Sequence, residues 1–272
     1  MKNQNLASTK VWMRSLHFIG APLHEHLATW KDACVLLFQV IQRIPQIHCW
    51  RLNEISHSVV QTGLGSLPIV ILSTTVAGVI LTNEIAWHMN AALHTVTMIP
   101  GFAGQFIFRE LGIAIPALLM VAKVGAATTA EIATMKVTEQ IDALKLLGID
   151  PIHYLVFPRF IAAILSGACL SVISVSITLA CSILISVMNY HFSVMEFFNA
   201  LRHFIGVKDM ICALVKGTTY GAVIPIISCT YGFRCQGGAE GVGTATTNSV
   251  VSATIVVIFL DFFLTYLFTL VL

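Results

Sequence analysis

Arg109 and Glu110 stand side by side, Lys216 and Asp261 stand alone, and all four interrupt stretches that are otherwise apolar. A charge inside such a stretch is costly in hydrocarbon and marks a ligand site or a pairing site. A guanidinium can grip a phosphate or a carboxylate through two parallel hydrogen bonds, whereas an ammonium offers a compact point charge. Neighbouring residues on an α-helix point about 100° apart, so Arg109 and Glu110 face different surroundings. One expectation is that Arg109, Glu110 and Lys216 share a cavity, with Arg109 on an anionic ligand and Glu110 either orienting Arg109 or pairing with Lys216. The other is an ion pair that only positions helices. Asp261, nearer the outer interface, reads as structural.

The elements that carry these residues follow from composition. Of 272 residues, 57% are hydrophobic and 10% are charged, against about 25% charged in a soluble domain. Net charge is +2, which gives no global basic field for nucleic acid. Five stretches are long and apolar enough to span about 30 Å of hydrocarbon: Gly63–Thr82, Phe106–Thr129, Phe160–Met188, Ile211–Phe233 and Ser249–Leu272. Ala33–Ile47 is shorter, is broken by Gln39, Gln42 and Arg43, and reads as an amphipathic helix in the interface. The predicted fold is therefore an all-α integral membrane protein, with an N-terminal interfacial region (1–56) and a membrane domain (57–272). Residues 1–33 lack the apolar core and cleavage site of a signal peptide. The segment 189–208, rich in phenylalanine, is expected at the outer interface. Gly217 and Gly221 form a GxxxG that suits close helix approach.

Lys and Arg set the orientation. Eleven of the 15 fall on one side, in the N-terminal region, the 123–159 connection and at Arg234. Only Arg202 and Lys208 fall on the other, so the N-terminus is placed in the cytoplasm. The cytoplasmic connection holds a short punctuated helix, with Thr138 as N-cap, Glu139 and Asp142 in the first turn, Gly148 at the left-handed C-terminal position and Pro151 as a stop. Ile141 and Leu144 share one face, and Leu146 and Leu147 extend it. Such an element suits docking of a cytosolic partner. The alternative is a plain linker on the membrane surface.

Several chemistries lack their residues. The seven cysteines form no CxxC, His24-Glu25-His26 lacks the spacing of HExxH, and no metal site or Ser/His/Asp set can be assembled. No G-x-x-x-x-G-K-[ST] phosphate loop occurs, so if ATP drives any process here, another chain binds it.

The segments Arg109-Glu110-Leu111-Gly112, Lys123-Val124-Gly125-Ala126 and Ala130-Glu131-Ile132-Ala133-Thr134-Met135-Lys136-Val137-Thr138-Glu139-Gln140-Ile141-Asp142-Ala143-Leu144, then Gly148-Ile149-Asp150-Pro151 and Pro158-Arg159, together resemble the MlaE/YrbE permease family. Gly237-Gly238-Ala239-Glu240-Gly241-Val242-Gly243-Thr244-Ala245-Thr246-Thr247-Asn248-Ser249 is similar to that family's loop into its last span. The likeness covers about 55–272. Ile113 and Lys123 depart from it, where the family usually has Pro and commonly Arg, and the outer loop 83–105 is not family-like. The resemblance implies the permease subunit of an ATP-driven, ABC-type lipid transporter in a bacterial inner membrane, serving outer-membrane lipid asymmetry. It implies a homodimer with five spans per copy, a cytosolic ABC ATPase that carries ATP and Mg, a periplasmic MCE-domain lipid-binding protein and a small cytosolic accessory subunit. No cofactor is expected in this chain. On this reading Arg109, Glu110 and Lys216 meet the phospholipid, and Glu139, Gln140, Ile141, Asp142, Leu144 and Lys145 form the ATPase-coupling helix. An ion-coupled carrier using Glu110, Asp261 and Lys216 as a relay, or a membrane scaffold without transport, are the alternatives.

Overall fold

The computed structural model describes residues 28–44, 52–93 and 98–271. Helix α1 covers 28–43, so the interfacial helix begins earlier than expected, and positions 45–47 lie outside the described residues, as does His24-Glu25-His26. Leu36 and Val40 turn one face of α1 into the protein, while Val35, Phe38 and Ile41 are exposed on another. That is the arrangement of a helix lying between protein and lipid.

Five helices are long and apolar enough to cross a membrane: α2 (Leu52–Ala91), α3 (Ile99–Val137), α5 (Ile152–Tyr190), α7 (Val207–Phe233) and α8 (Gly238–Leu270). The first four contain the predicted spans, most outrunning them; α8 begins eleven residues before the predicted Ser249 and is followed to Leu270, with Leu272 outside the described residues. Much of the segment expected as an outer loop, 83–105, is helical: α2 runs past Thr82 to Ala91 and α3 starts at Ile99, while 94–97 lie outside the described residues. The polar run of Asn83, Glu84, His88 and Asn90 marks the exit from hydrocarbon; no Gly or Pro interrupts the helix there. The glycine block after Gly237 is likewise helix rather than loop. Thr244, Thr246 and Thr247 bond back to the carbonyls of Gly241, Val242 and Gly243, which keeps the hydroxyls satisfied inside a helix.

Helices α5 and α7 form the centre, with α2 on the far side of α5, and α3 and α8 against α7. The GxxxG reading holds within the chain. A Cβ on Gly221 would sit 2.3 Å from the Ala163 carbonyl oxygen, and one on Gly167 would sit 2.6 Å from that of Gly217. Backbones this close admit only hydrogen.

Helix α3 contains two π turns, Ile107–Leu111 and Val121–Gly125, with Pro116 between them. Proline cannot donate to the carbonyl a turn earlier, and a wider turn is one way a helix absorbs that loss. The two π turns carry Arg109-Glu110 and Lys123.

Between α5 and α7, α6 (Val194–Phe204) opens with a capping box between Ser193 and Glu196. It buries Phe197 and Leu201 and lays Phe204 against Phe102 at the start of α3, ring centroids 5.9 Å apart. Between α3 and α5, at the opposite end of the spans, the short helix α4 is Gln140–Leu146. Thr138 does not cap it. α3 runs to Val137, so the Thr138 hydroxyl donates back to the Thr134 carbonyl at 2.8 Å. Glu139 makes the corner instead, with φ 60. Gly148 takes the left-handed position at φ 73, and Ile149 N–H reaches back to Leu144 O at 3.0 Å, which closes the helix end as its sequence demanded.

Candidate functional site

The charged residues of the spans converge on one cluster. Lys216, on α7, has no exposed surface. Its Nζ donates to Arg109 O at 2.6 Å, to Asp261 Oδ1 at 2.7 Å and to Thr265 Oγ1 at 2.7 Å. Three donors thus meet three acceptors, and the ammonium is fully satisfied by the protein. Glu110 Oε1 lies 3.5 Å from the same Nζ and 2.7 Å from Thr265 Oγ1. Tyr220 Oη donates to Asp261 Oδ1 at 2.6 Å. This cluster ties α3, α7 and α8 together around a buried ammonium.

Arg109 is held separately. Its Nε donates to Asp209 Oδ1 at 2.8 Å. Asp209 Oδ2 accepts from Gly206 N–H at 2.9 Å, so the carboxylate that orients Arg109 is itself fixed at the N-terminus of α7. About a third of the Arg109 side chain is exposed (33%), and among the described residues its Nη1 and Nη2 make no hydrogen bond. That end can still take an anion through two parallel hydrogen bonds.

The three residues named from sequence are therefore together, in unequal positions. Lys216 is enclosed, Glu110 pairs with Lys216 and not with Arg109, and Arg109 alone presents a free cationic edge. Asp261 also lies in the cluster, as the closest acid to Lys216: 2.7 Å from its Nζ against 3.5 Å for Glu110. Asp209, Tyr220 and Thr265 were not read from the sequence. Asp209 had one available signal, an acid three residues after Gly206 at a helix start.

At the other end of the spans, the α4 residues expected to couple to an ATPase divide by face. Ile141 is buried against Leu36 and Phe157, and Leu144 is partly buried beside it. Leu146 and Leu147 point the other way, 90% and 74% exposed. Asp142 bonds Lys145 at 2.9 Å and Lys136 at 3.2 Å. Those two lysines, Lys145 foremost, hold its carboxyl below the usual aspartate range. Glu139 and Gln140 sit at the corner and first position of α4. Two ion pairs bind α1 to this end: Arg43 to Asp150, and Asp32 to Arg234 at 2.7 Å.

Among the described residues, no group of three His, Cys, Asp or Glu side chains is placed to hold a metal, and six cysteines are free thiols.

Comparison with known proteins agrees with this architecture. The sequence profile described as Permease MlaE matches residues 55–267. A probable ABC transporter permease protein of Rickettsia felis is 38% identical over 211 residues, covering 76% of this chain and 79% of the relative. One from Synechocystis is 34% identical over 245 residues, covering 89% and 92%. One from Pyropia yezoensis is 34% identical over 244 residues, covering 90% and 92%. With five apolar spanning helices and this extent of matching sequence, the chain belongs to the MlaE permease family.

Proposed function

We propose that this chain is the membrane subunit of an ATP-driven lipid transporter, working as a homodimer in a bacterial inner membrane with its N-terminus in the cytoplasm. The observation that carries the reading is Arg109: a guanidinium within a span, oriented through Nε by Asp209, with its bidentate edge unoccupied. A phospholipid phosphate is the anion that such an edge would meet in a bilayer. Glu110 and Lys216 act behind it, setting the position of the helix that bears it.

ATP hydrolysis belongs to a cytosolic ABC subunit seated on α4, where Leu146 and Leu147 offer the apolar contact and Glu139, Asp142 and Lys145 the charged one. A periplasmic MCE-domain protein exchanges the lipid on the outer side, in support of outer-membrane lipid asymmetry, and a small cytosolic accessory subunit completes the assembly.

The test is reconstitution of the chain with its ATPase and lipid carrier in vesicles that contain a fluorescent phospholipid. ATP-dependent transfer between membrane and carrier is expected, with loss of transfer in Arg109→Ala. Full transfer in that variant sinks the headgroup role. A second reading, an ion-coupled carrier, draws on the presence of three carboxylates (Glu110, Asp209, Asp261) beside two cations. A protonophore separates the two readings, since ATP-driven transfer survives it.

A further inference from the structure

A cationic cavity lies away from the Arg109 cluster, in another part of the membrane domain. It has a volume of about 120 Å³ and opens between α2, α3 and α5, with Gln61, Lys123, Ala127, Glu131 and Arg159 in its wall. Arg159 Nη2 pairs with Glu131 Oε1 at 2.7 Å, which leaves Nη1 buried without a partner. Among the described residues Lys123 has no carboxylate partner; its Nζ bonds the carbonyl of Gly65, at the 3-10 turn that breaks α2. One carboxylate thus faces two cations, and a buried guanidinium N–H goes unused.

An uncompensated ammonium on a lipid-facing position is unfavourable unless an anion reaches it. The depth limits which anion that is. Arg159 lies seven residues into α5, about 10 Å from its cytoplasmic end at 1.5 Å per residue. Lys123 lies 14 residues beyond Arg109 on α3, about 21 Å away by the same rise, so the two sites are separate. Beside the cavity, α2 exposes Val60, Leu64, Ile71 and Leu72, an apolar flank along which acyl chains can lie. Basic pockets between spans on the cytoplasmic side are suited to lipid headgroups.

We propose that this cavity binds the phosphodiester of a phospholipid from the leaflet on the N-terminal side, with Lys123 and Arg159 as its donors. The site goes beyond the transport reading, because a lipid bound here is retained whether or not the chain moves lipid at Arg109. It is distinct in leaflet, in residues and in the helices that build it.

The test replaces Gln61 with p-benzoylphenylalanine in the full chain, expressed in cells labelled with [32P]phosphate and irradiated as native membranes. A labelled phospholipid adduct is expected. It should fall about five-fold in Lys123→Gln, the worth of one lysine near a charged membrane surface. It should fall as far in Ala127→Phe, which fills the cavity without changing charge. The same photoprobe at Leu72, on the apolar flank, should label equally in all three backgrounds. Absence of the Gln61 adduct while Leu72 labels, or a Gln61 adduct unchanged in both variants, overturns the proposal. Dialysis of the detergent-purified chain against [32P]orthophosphate distinguishes the source: retention of orthophosphate without a lipid adduct assigns the cavity to free phosphate and overturns the lipid. None of these readouts depends on transfer activity, so failure of the transport reading leaves them intact.

Discussion

Lys216 Nζ donates to the carbonyl oxygen of Arg109 at 2.6 Å, so a buried ammonium on α7 holds the backbone of the π turn that presents a guanidinium. The cation named as a ligand from sequence is thus the support for the other one. Their roles are separable by mutation.

Lys216→Met removes the positive charge between Glu110 and Asp261. Stranding two partly buried acids without their cation is expected to destabilise the chain by about 2 kcal/mol, less than for a fully buried pair. Adding Asp261→Asn should restore part of that loss, because the double variant leaves fewer unpaired charges. Thermal unfolding of the purified chain in detergent measures both. Independent, additive losses would sink the coupling.

Arg109→Lys keeps the charge and gives up the bidentate edge. Lipid transfer is expected to fall about ten-fold or more, while unfolding temperature stays near wild type because a third of the side chain is already exposed (33%). Unchanged transfer would show that any cation suffices.

Asp142 predicts a pH window. Its carboxyl titrates below the usual aspartate range because Lys145 and Lys136 bond its charged form. A depressed pKa contributes stability that is present above the unfolded value and is lost as pH falls through the folded one. The difference in unfolding temperature between wild type and Asp142→Asn should therefore be constant from about pH 5 to 8 and vanish on stronger acidification. A difference that grows as the pH falls contradicts the pairing.

Leu146→Glu with Leu147→Glu changes two side chains that are 90% and 74% exposed, so folding should be unaffected. Copurification of the ATPase and transfer activity should both be lost. The charge reversal Glu139→Lys with Asp142→Lys should act in the same direction. Retention of the ATPase by both variants removes α4 as the dock.

Gly221→Ala should cost about 2 kcal/mol or prevent folding, since the new Cβ meets the Ala163 carbonyl at 2.3 Å. Gly243→Ala, with nothing within 4 Å, is the control and should be neutral or stabilising. Equal effects of the two would mean that α5 and α7 are not held at this distance.

What could be read from sequence was whatever depends on runs. The five spans, the short helix closed at Gly148 and the close approach at Gly221 rest on local composition, and each is present. Helix ends were less legible. Hydropathy falls at Asn83 and at the glycines after Gly237 because the chain leaves hydrocarbon there, yet backbone hydrogen bonding continues. Thr138 looked like a cap because its residue type suits one; the preceding helix had already claimed it. The partners within the cluster were least legible. Asp209 and Thr265 are about 100 and 155 positions from the residues they touch, and nothing in local periodicity records a contact made across three helices. The π turn at Ile107–Leu111 gave no sequence signal beyond Pro116 downstream.

Those π turns make the phase of α3 discontinuous. Each is the footprint of one residue more than a regular α-helix would accommodate, and it rotates every later side chain by about 100° relative to the earlier ones. The helix is, in effect, three short helices sharing an axis, each turned to a different neighbour. Deleting one residue between Ile107 and Leu111 would heal the ladder and aim Arg109 and all that precedes it at the wrong partners. The extra residue in each turn is thus part of the architecture, because it decides which neighbour each section of α3 meets.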